Sequence, residues 1–225
     1  MIYHLEPAPG VHYWPERLDH PAQEALLEAV MARVAVAPFY RPVMPRSGAP
    51  LSVEMTNFGP LGWVTDQEKG YRYEARHPVS GEPWPEIPES LLTLWGETTV
   101  YGALPEACLV NLYRETARMG LHRDADEEAV DAPVLSVSLG DTAIFRFGGL
   151  SRRGATTALK LNSGDVLMFG GPARMMYHGI DRILAGSSSL VPGGGRINLT
   201  LRRVTIREEH RATAPPPPPS AAPRI

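Results

Sequence analysis

The feature that most constrains this chain is a succession of short apolar runs beginning near residue 107. "ACLVNLYR", "APVLSVSLG", "TAIFRFGG", "TALKLNSGD", "DVLMFGG", "RMMYHGI" and "RINLTLRRV" follow one another, punctuated by Gly, Asn and Asp. Runs of this length and composition predict β-strands, and "NSGD" between two of them is a tight-turn signal. Many short strands at this spacing predict a sandwich or barrel. The fold class expected is mainly β with flanking helices, a jelly roll carrying an N-terminal helical and loop-rich extension.

Upstream the pattern differs. Residues 20–34, "HPAQEALLEAVMARV", carry apolar positions at Ala25, Leu26, Ala29, Val30 and Val34, which predicts an amphipathic helix. "PESLLTLWGETTVYG", residues 88–102, is a second helical candidate. Between them lies a loop-rich stretch with Trp63, Tyr71, Tyr73 and Trp84. The expected organisation is an extension over 1–106 packed on a core over 107–208, together one domain, followed by a Pro-rich disordered tail over 209–225. The tail sequence "APPPPPSAAP" has no apolar surface to bury and is set outside the fold.

Composition narrows the function classes. The single cysteine, Cys108, excludes an intramolecular disulfide and fits a reducing, cytoplasmic setting; its apolar neighbours predict a packed thiol. No signal peptide pattern is present and no apolar run reaches the length of a membrane span, so no membrane partner is expected. A net charge of −3 argues against a sequence-blind nucleic-acid coat protein, though not against a local basic patch.

The chemistry is expected in "GLHRDADEEAVDAP", residues 120–133. Side chains two apart on a strand share a face, so His122 and Asp124 point together with Arg123 opposite. His178, a lone histidine in the apolar context "MMYHGI", is the best third ligand, against the plainer reading of a core histidine. His4, His12, His20, His77 and His210 are poorly placed. Two histidines and one carboxylate with open positions suit non-haem Fe(II) and oxygen chemistry. Read at period two, "RINLTLR" sets Arg196, Asn198, Thr200 and Arg202 on one face, and "NLY" points Asn111 and Tyr113 together. Polar strand faces beside a metal site suggest a ligand-holding interior. Arg196 and Arg202 stand roughly 20 Å apart along the strand, so each needs its own role.

HxD, a distant His, RxNxTxR and an upstream NxY together resemble the AlkB family of Fe(II)- and 2-oxoglutarate-dependent dioxygenases, which reverse nucleobase alkylation. The likeness runs from about Pro38 to Val204 and includes "MTNFGPLGW", "GYRY", "PVLSVSLGDTAIFRFGGL", "GDVLMFGG" and "YHGI". It implies the double-stranded β-helix form of the jelly roll, with the extension serving nucleotide recognition. It implies His122, Asp124 and His178 as iron ligands, Arg202 on the distal carboxylate of 2-oxoglutarate, Arg196 and Asn198 near its other end, and Asn111 and Tyr113 hydrogen-bonded to the cosubstrate. Trp63 would stack on a flipped base, Tyr71 and Tyr73 hold the nucleotide backbone, and Asp126 lie close to the base. Arg152, with Arg153, stands between a phosphate contact and a solvated basic turn. Glu127, Glu128 and Asp131 are expected to form a solvated loop.

The resemblance thus implies O2-dependent demethylation of 1-methyladenine and 3-methylcytosine, releasing formaldehyde, succinate and CO2. The expected partner is alkylated single-stranded DNA, with RNA as a second substrate, and the expected state a monomer. Two alternatives remain at this level: a related oxygenase acting on a protein or small molecule, and a non-catalytic jelly roll holding Zn.

Overall fold

Layer packing explains why so many of the apolar runs are closed off on both faces. The computed structural model describes residues 3–206. In chain order it contains β1 (Leu5–Ala8), β2 (Val11–Trp14), α1 (His20–Val34), β3 (Glu54–Phe58), β4 (Gly62–Asp66), β5 (Gly70–Glu74) and α2 (Glu89–Thr98). Then follow β6 (Ala107–Tyr113), β7 (Met119–His122), β8 (Val134–Gly140), β9 (Thr142–Gly148), β10 (Thr156–Leu161), β11 (Val166–Phe169), β12 (His178–Leu184) and β13 (Arg196–Arg202). The predicted tail and His210 lie outside the described residues.

A seven-stranded antiparallel sheet runs β1-β2-β11-β8-β13-β6-β3 and faces a four-stranded sheet, β10-β9-β12-β7. This is the double-layered β architecture that the strand pattern predicts. The extension does more than rest on the barrel: β1, β2 and β3 are strands of the larger sheet, and β3 pairs directly with β6. The boundary at 106/107 therefore crosses a continuous ladder.

Two apolar clusters hold the layers. Leu26, Leu27 and Val30 of α1 and Leu91, Leu94 and Trp95 of α2 pack on one face of the larger sheet, against Cys108, Val110, Val137, Leu199 and Leu201. On its other face Leu109, Val134, Leu167 and Phe169 meet Ala143, Phe145, Leu161 and Ile180 of the smaller sheet. All seven residues of β6, β8 and β13 are consequently buried.

Helix α1 begins where Asp19 accepts a hydrogen bond from the Ala22 amide at 3.0 Å, with Pro21 in the first turn. Its buried stripe includes Leu27 beside Leu26 and Val30. Helix α2 stops at Thr98, short of the predicted 102, because Thr99 turns extended at φ −116° and ψ 146°. A β-branched Thr-Thr-Val run gives the backbone little reason to continue helical. The "NSGD" segment turns as expected, but it carries the chain from β10 in the small sheet to β11 in the large one. Gly164 takes φ +87° there, and a Cβ would sit 2.4 Å from the Leu18 carbonyl oxygen. Only glycine fits that turn without strain.

Candidate metal centre and the cavity around it

β7 and β12 pair antiparallel with His122 directly opposite His178. That register, not sequence proximity, brings the distant histidine to the HxD segment; the two rings lie 4.6 Å apart. β7 ends at His122, and Asp124 stands in the irregular segment just beyond it. One Asp124 oxygen lies 3.8 Å from His122 Nε2 and the other 4.0 Å from His178 Nε2. The candidate ligand atoms of all three residues fall within 4.8 Å of one another.

Backbone carbonyls prepare the histidines. His122 Nδ1 lies 2.9 Å from the Gly120 carbonyl oxygen and His178 Nδ1 3.2 Å from that of Met176. A carbonyl oxygen only accepts, so each Nδ1 carries the proton and each Nε2 turns its lone pair inward. Burial between Phe145 and Phe169 pushes His178 down to about 4, despite the opposing pull of Asp124. The ring is neutral at pH 7, as a ligand must be. Burial alone would raise the Asp124 carboxyl, but Arg202, the two histidines and Arg174 outweigh it and hold it well below the usual range.

Arg202 is where the structure departs from the expected division of labour. Its Nε and Nη2 donate to the two Asp124 oxygens at 3.1 and 2.9 Å, a bidentate fork at the metal end of the strand. Its fork is thus engaged by the Asp124 carboxylate. The other end of β13 holds Arg196, 1% exposed, with one hydrogen bond, from Nη2 to Ser138 Oγ at 3.0 Å. Its Nε and Nη1 have no partner, and neither does the buried Oδ1 of Asn111. Unpaired buried polar atoms cost about 1–3 kcal/mol each, so this end of the cavity is built for something that pairs with them. Burial draws Arg196 down to about 10, still charged at neutral pH. Tyr113 faces Arg196 across the β6–β13 ladder, and burial pushes its phenol up to about 12. Asn198 donates to Ser136 Oγ at 2.7 Å and accepts from Thr200 at 3.0 Å.

These groups line one cavity of about 520 Å³, together with Trp63, Tyr71, Asp126 and Arg152. The Trp63 indole donates to Asp126 Oδ2 at 2.8 Å, and Tyr71 stacks on it at 5.5 Å with the rings 21° apart. Arg152 is exposed. Tyr73, expected on a nucleotide backbone, instead donates its hydroxyl to Glu127. Glu127, expected in solvent, is 5% exposed and pairs with Arg174 at 3.0 Å. Arg174 also donates to the Asp124 carbonyl at 2.7 Å. Arg174, Glu127, Ser136 and Ser138 are functional-site neighbours that the sequence reading missed. The serines carried a signal, since "LSVSLG" repeats at period two the polar face of "RINLTLR"; a glutamate inside a charge run carried none.

A set of two imidazoles and one carboxylate, with Asp124 and His178 buried and His122 partly open, between two antiparallel sheets defines a candidate mononuclear non-haem metal centre in a jelly roll. The donors and the unpaired Arg196 fit Fe(II) with an elongated dianionic cosubstrate. The chain belongs to the 2OG-Fe(II) oxygenase superfamily, whose family model matches residues 10–202, and within it to the AlkB dioxygenases. An alpha-ketoglutarate-dependent dioxygenase AlkB homolog of Caulobacter vibrioides is 57% identical over 88% of this chain and 90% of its own. The Escherichia coli (strain K12) dioxygenase AlkB is 40% identical over 83% of this chain and 87% of its own. The solved structure of OsALKBH1 superposes with a TM-score of 0.73 at 28% identity, covering 89% of this chain and all 100% of the other. Among the described residues, no helix is long and apolar enough to cross a membrane.

Proposed function

We propose that this protein oxidatively demethylates 1-methyladenine and 3-methylcytosine in single-stranded DNA, and RNA second, working as a monomer in the cytoplasm. The observation that carries the reading is one cavity with three parts: the His122, Asp124, His178 donor set, the unpaired Nε and Nη1 of Arg196 and Oδ1 of Asn111 at one end, and Trp63 with Asp126 at the other. His122, Asp124 and His178 would hold Fe(II). With O2 and 2-oxoglutarate, bound iron supplies the oxidising power to hydroxylate an N-methyl group, yielding succinate and CO2, and the hydroxymethyl product sheds formaldehyde.

The chain's own residues do the rest. Arg196 offers two unpaired donor nitrogens, Nε and Nη1, to the distal carboxylate, and Tyr113 and Asn111 line the same end. Arg202 stays with Asp124, fixing the ligand carboxylate in its charged form. A base leaving the stack recovers about 1–3 kcal/mol on an aromatic face, the role suited to Trp63. Ring-methylated bases are cationic, so Asp126, oriented by the Trp63 indole, adds a charge that unmodified bases do not reward. Extrusion is cheapest from a single strand, which supports the strand preference. Arg152 at the rim is suited to a phosphate. The buried, unpaired Cys108 supports a reducing compartment.

The test is turnover of Fe(II)-loaded protein with O2, 2-oxoglutarate and a single-stranded oligonucleotide bearing 3-methylcytosine. Methyl loss matched by succinate is expected. Succinate without demethylation would redirect the substrate to a protein or small molecule, and no turnover would leave a binding protein.

A further inference from the structure

The β4–β5 hairpin grips the ligand-bearing loop twice. Trp63 of β4 bonds Asp126, and Tyr73 of β5 bonds Glu127, two and three residues after the candidate ligand Asp124. Glu127 and Asp124 are also tied to each other through two shared arginines. Arg174 donates to the Asp124 carbonyl at 2.7 Å and to Glu127 Oε2 at 3.0 Å. Arg202 forks onto the Asp124 carboxylate and reaches Glu127 Oε1 at 3.5 Å. Glu127 is thus saturated by Tyr73, Arg174 and Arg202, with its side chain 1% exposed. It cannot turn to a substrate without leaving two buried guanidinium groups short of a partner.

We infer that Glu127 is a positioning residue that couples the nucleotide-facing hairpin to the metal-binding carboxylate, so that hairpin order and metal binding strengthen one another. The physical route is competition for Arg202. A dication at Asp124 draws on the same two carboxylate oxygens that Arg202 holds, and the guanidinium's remaining acidic neighbour is Glu127. Strengthening the Arg202–Glu127 contact tightens the acceptor of the Tyr73 hydroxyl, and with it β5. By reciprocity, whatever orders the hairpin tightens the metal. The inference rests on the metal reading of the site and needs no particular substrate.

Amide hydrogen–deuterium exchange over residues 62–74, with and without Co(II) as a redox-inert stand-in, tests it on the full chain. In the wild type Co(II) is expected to slow exchange of these amides by about fivefold or more. Tyr73→Phe, which removes one hydroxyl and leaves both ion pairs, should retain Co(II) binding by its visible absorption yet lose that metal-dependent protection. Glu127→Gln should lose the protection and also bind Co(II) more weakly. A wild-type hairpin indifferent to Co(II), or a Tyr73→Phe hairpin protected as fully as the wild type, would overturn the coupling. Neither outcome bears on whether the wild type demethylates DNA, which the oligonucleotide assay reads separately.

Discussion

Arg196 shows how a single buried side chain announces a ligand. It is fully enclosed, charged, and short of two hydrogen-bond partners. Such a group weakens the fold it sits in, so its presence points outward to something it binds. Arg196→Met should therefore raise, or leave unchanged, the thermal midpoint of the ligand-free protein. The same variant should raise the KM for 2-oxoglutarate by at least about thirtyfold, the loss expected when a buried charge pair loses one partner. A variant that simply unfolds would assign Arg196 to the structure instead. At the metal donors, His122→Ala, Asp124→Ala or His178→Ala should each abolish turnover; normal activity in any of them would sink the ligand assignment. Trp63→Ala should weaken oligonucleotide binding while leaving cosubstrate KM nearly unchanged. Cys108 illustrates the opposite case. Burial pushes its thiol up to about 12, so alkylating reagents at pH 8 should label it only after denaturation, as intact mass would record.

At the scale of elements, the site depends on strands that are buried on both faces. β13 gives Ile197, Leu199 and Leu201 to the helices and its polar residues to the cavity. This double use means that packing on the outer face positions chemistry on the inner one. Leu199→Ala should cost about 2–5 kcal/mol in denaturant unfolding, the range for deleting a fully buried leucine side chain. The turn between the sheets is a second point of control. Gly164→Ala combines a left-handed backbone with a backbone clash, and should destabilise the fold by more than about 1 kcal/mol. Its readout is again the denaturation midpoint, which should fall at unchanged slope. The "NSGD" pattern predicted a turn correctly, but local turn chemistry contains nothing about which sheet the next strand joins.

For the molecule as a whole, the large sheet is the frame, with helices on one face and the small sheet on the other. His122, Asp124 and His178 come from β7, the segment after it, and β12; Asn111, Tyr113 and Arg196 come from β6 and β13; Trp63 and Tyr71 come from β4 and β5. Ligands that bind only this assembled state stabilise it by mass action, about 2.7 kcal/mol at a hundredfold excess over Kd. Adding Co(II) and then 2-oxoglutarate should raise the thermal midpoint in two steps. Asp124→Ala should lose both steps, and Arg196→Met only the second. A single unresolved step in Arg196→Met equal to the full wild-type rise would move the cosubstrate elsewhere in the cavity.

The sequence by itself determined the strand content, the extent of α1, the polar face of β13 and the choice of His122, Asp124 and His178 as the candidate donor set. Those features follow from periodicity and from residue types that have few alternative uses, and they survive any arrangement in space. Tertiary structure decided what depended on register and burial. The pairing of β7 with β12 joined His178 to HxD, and the direction of β13 set Arg202 at the metal and Arg196 at the far end. Enclosure turned Glu127 from one acid in a charged run into a buried group shared by two arginines and a tyrosine. A sequence records that a residue is charged. Whether the charge meets water or a guanidinium depends on chain segments 47 to 75 residues away, and only the folded molecule brings those together.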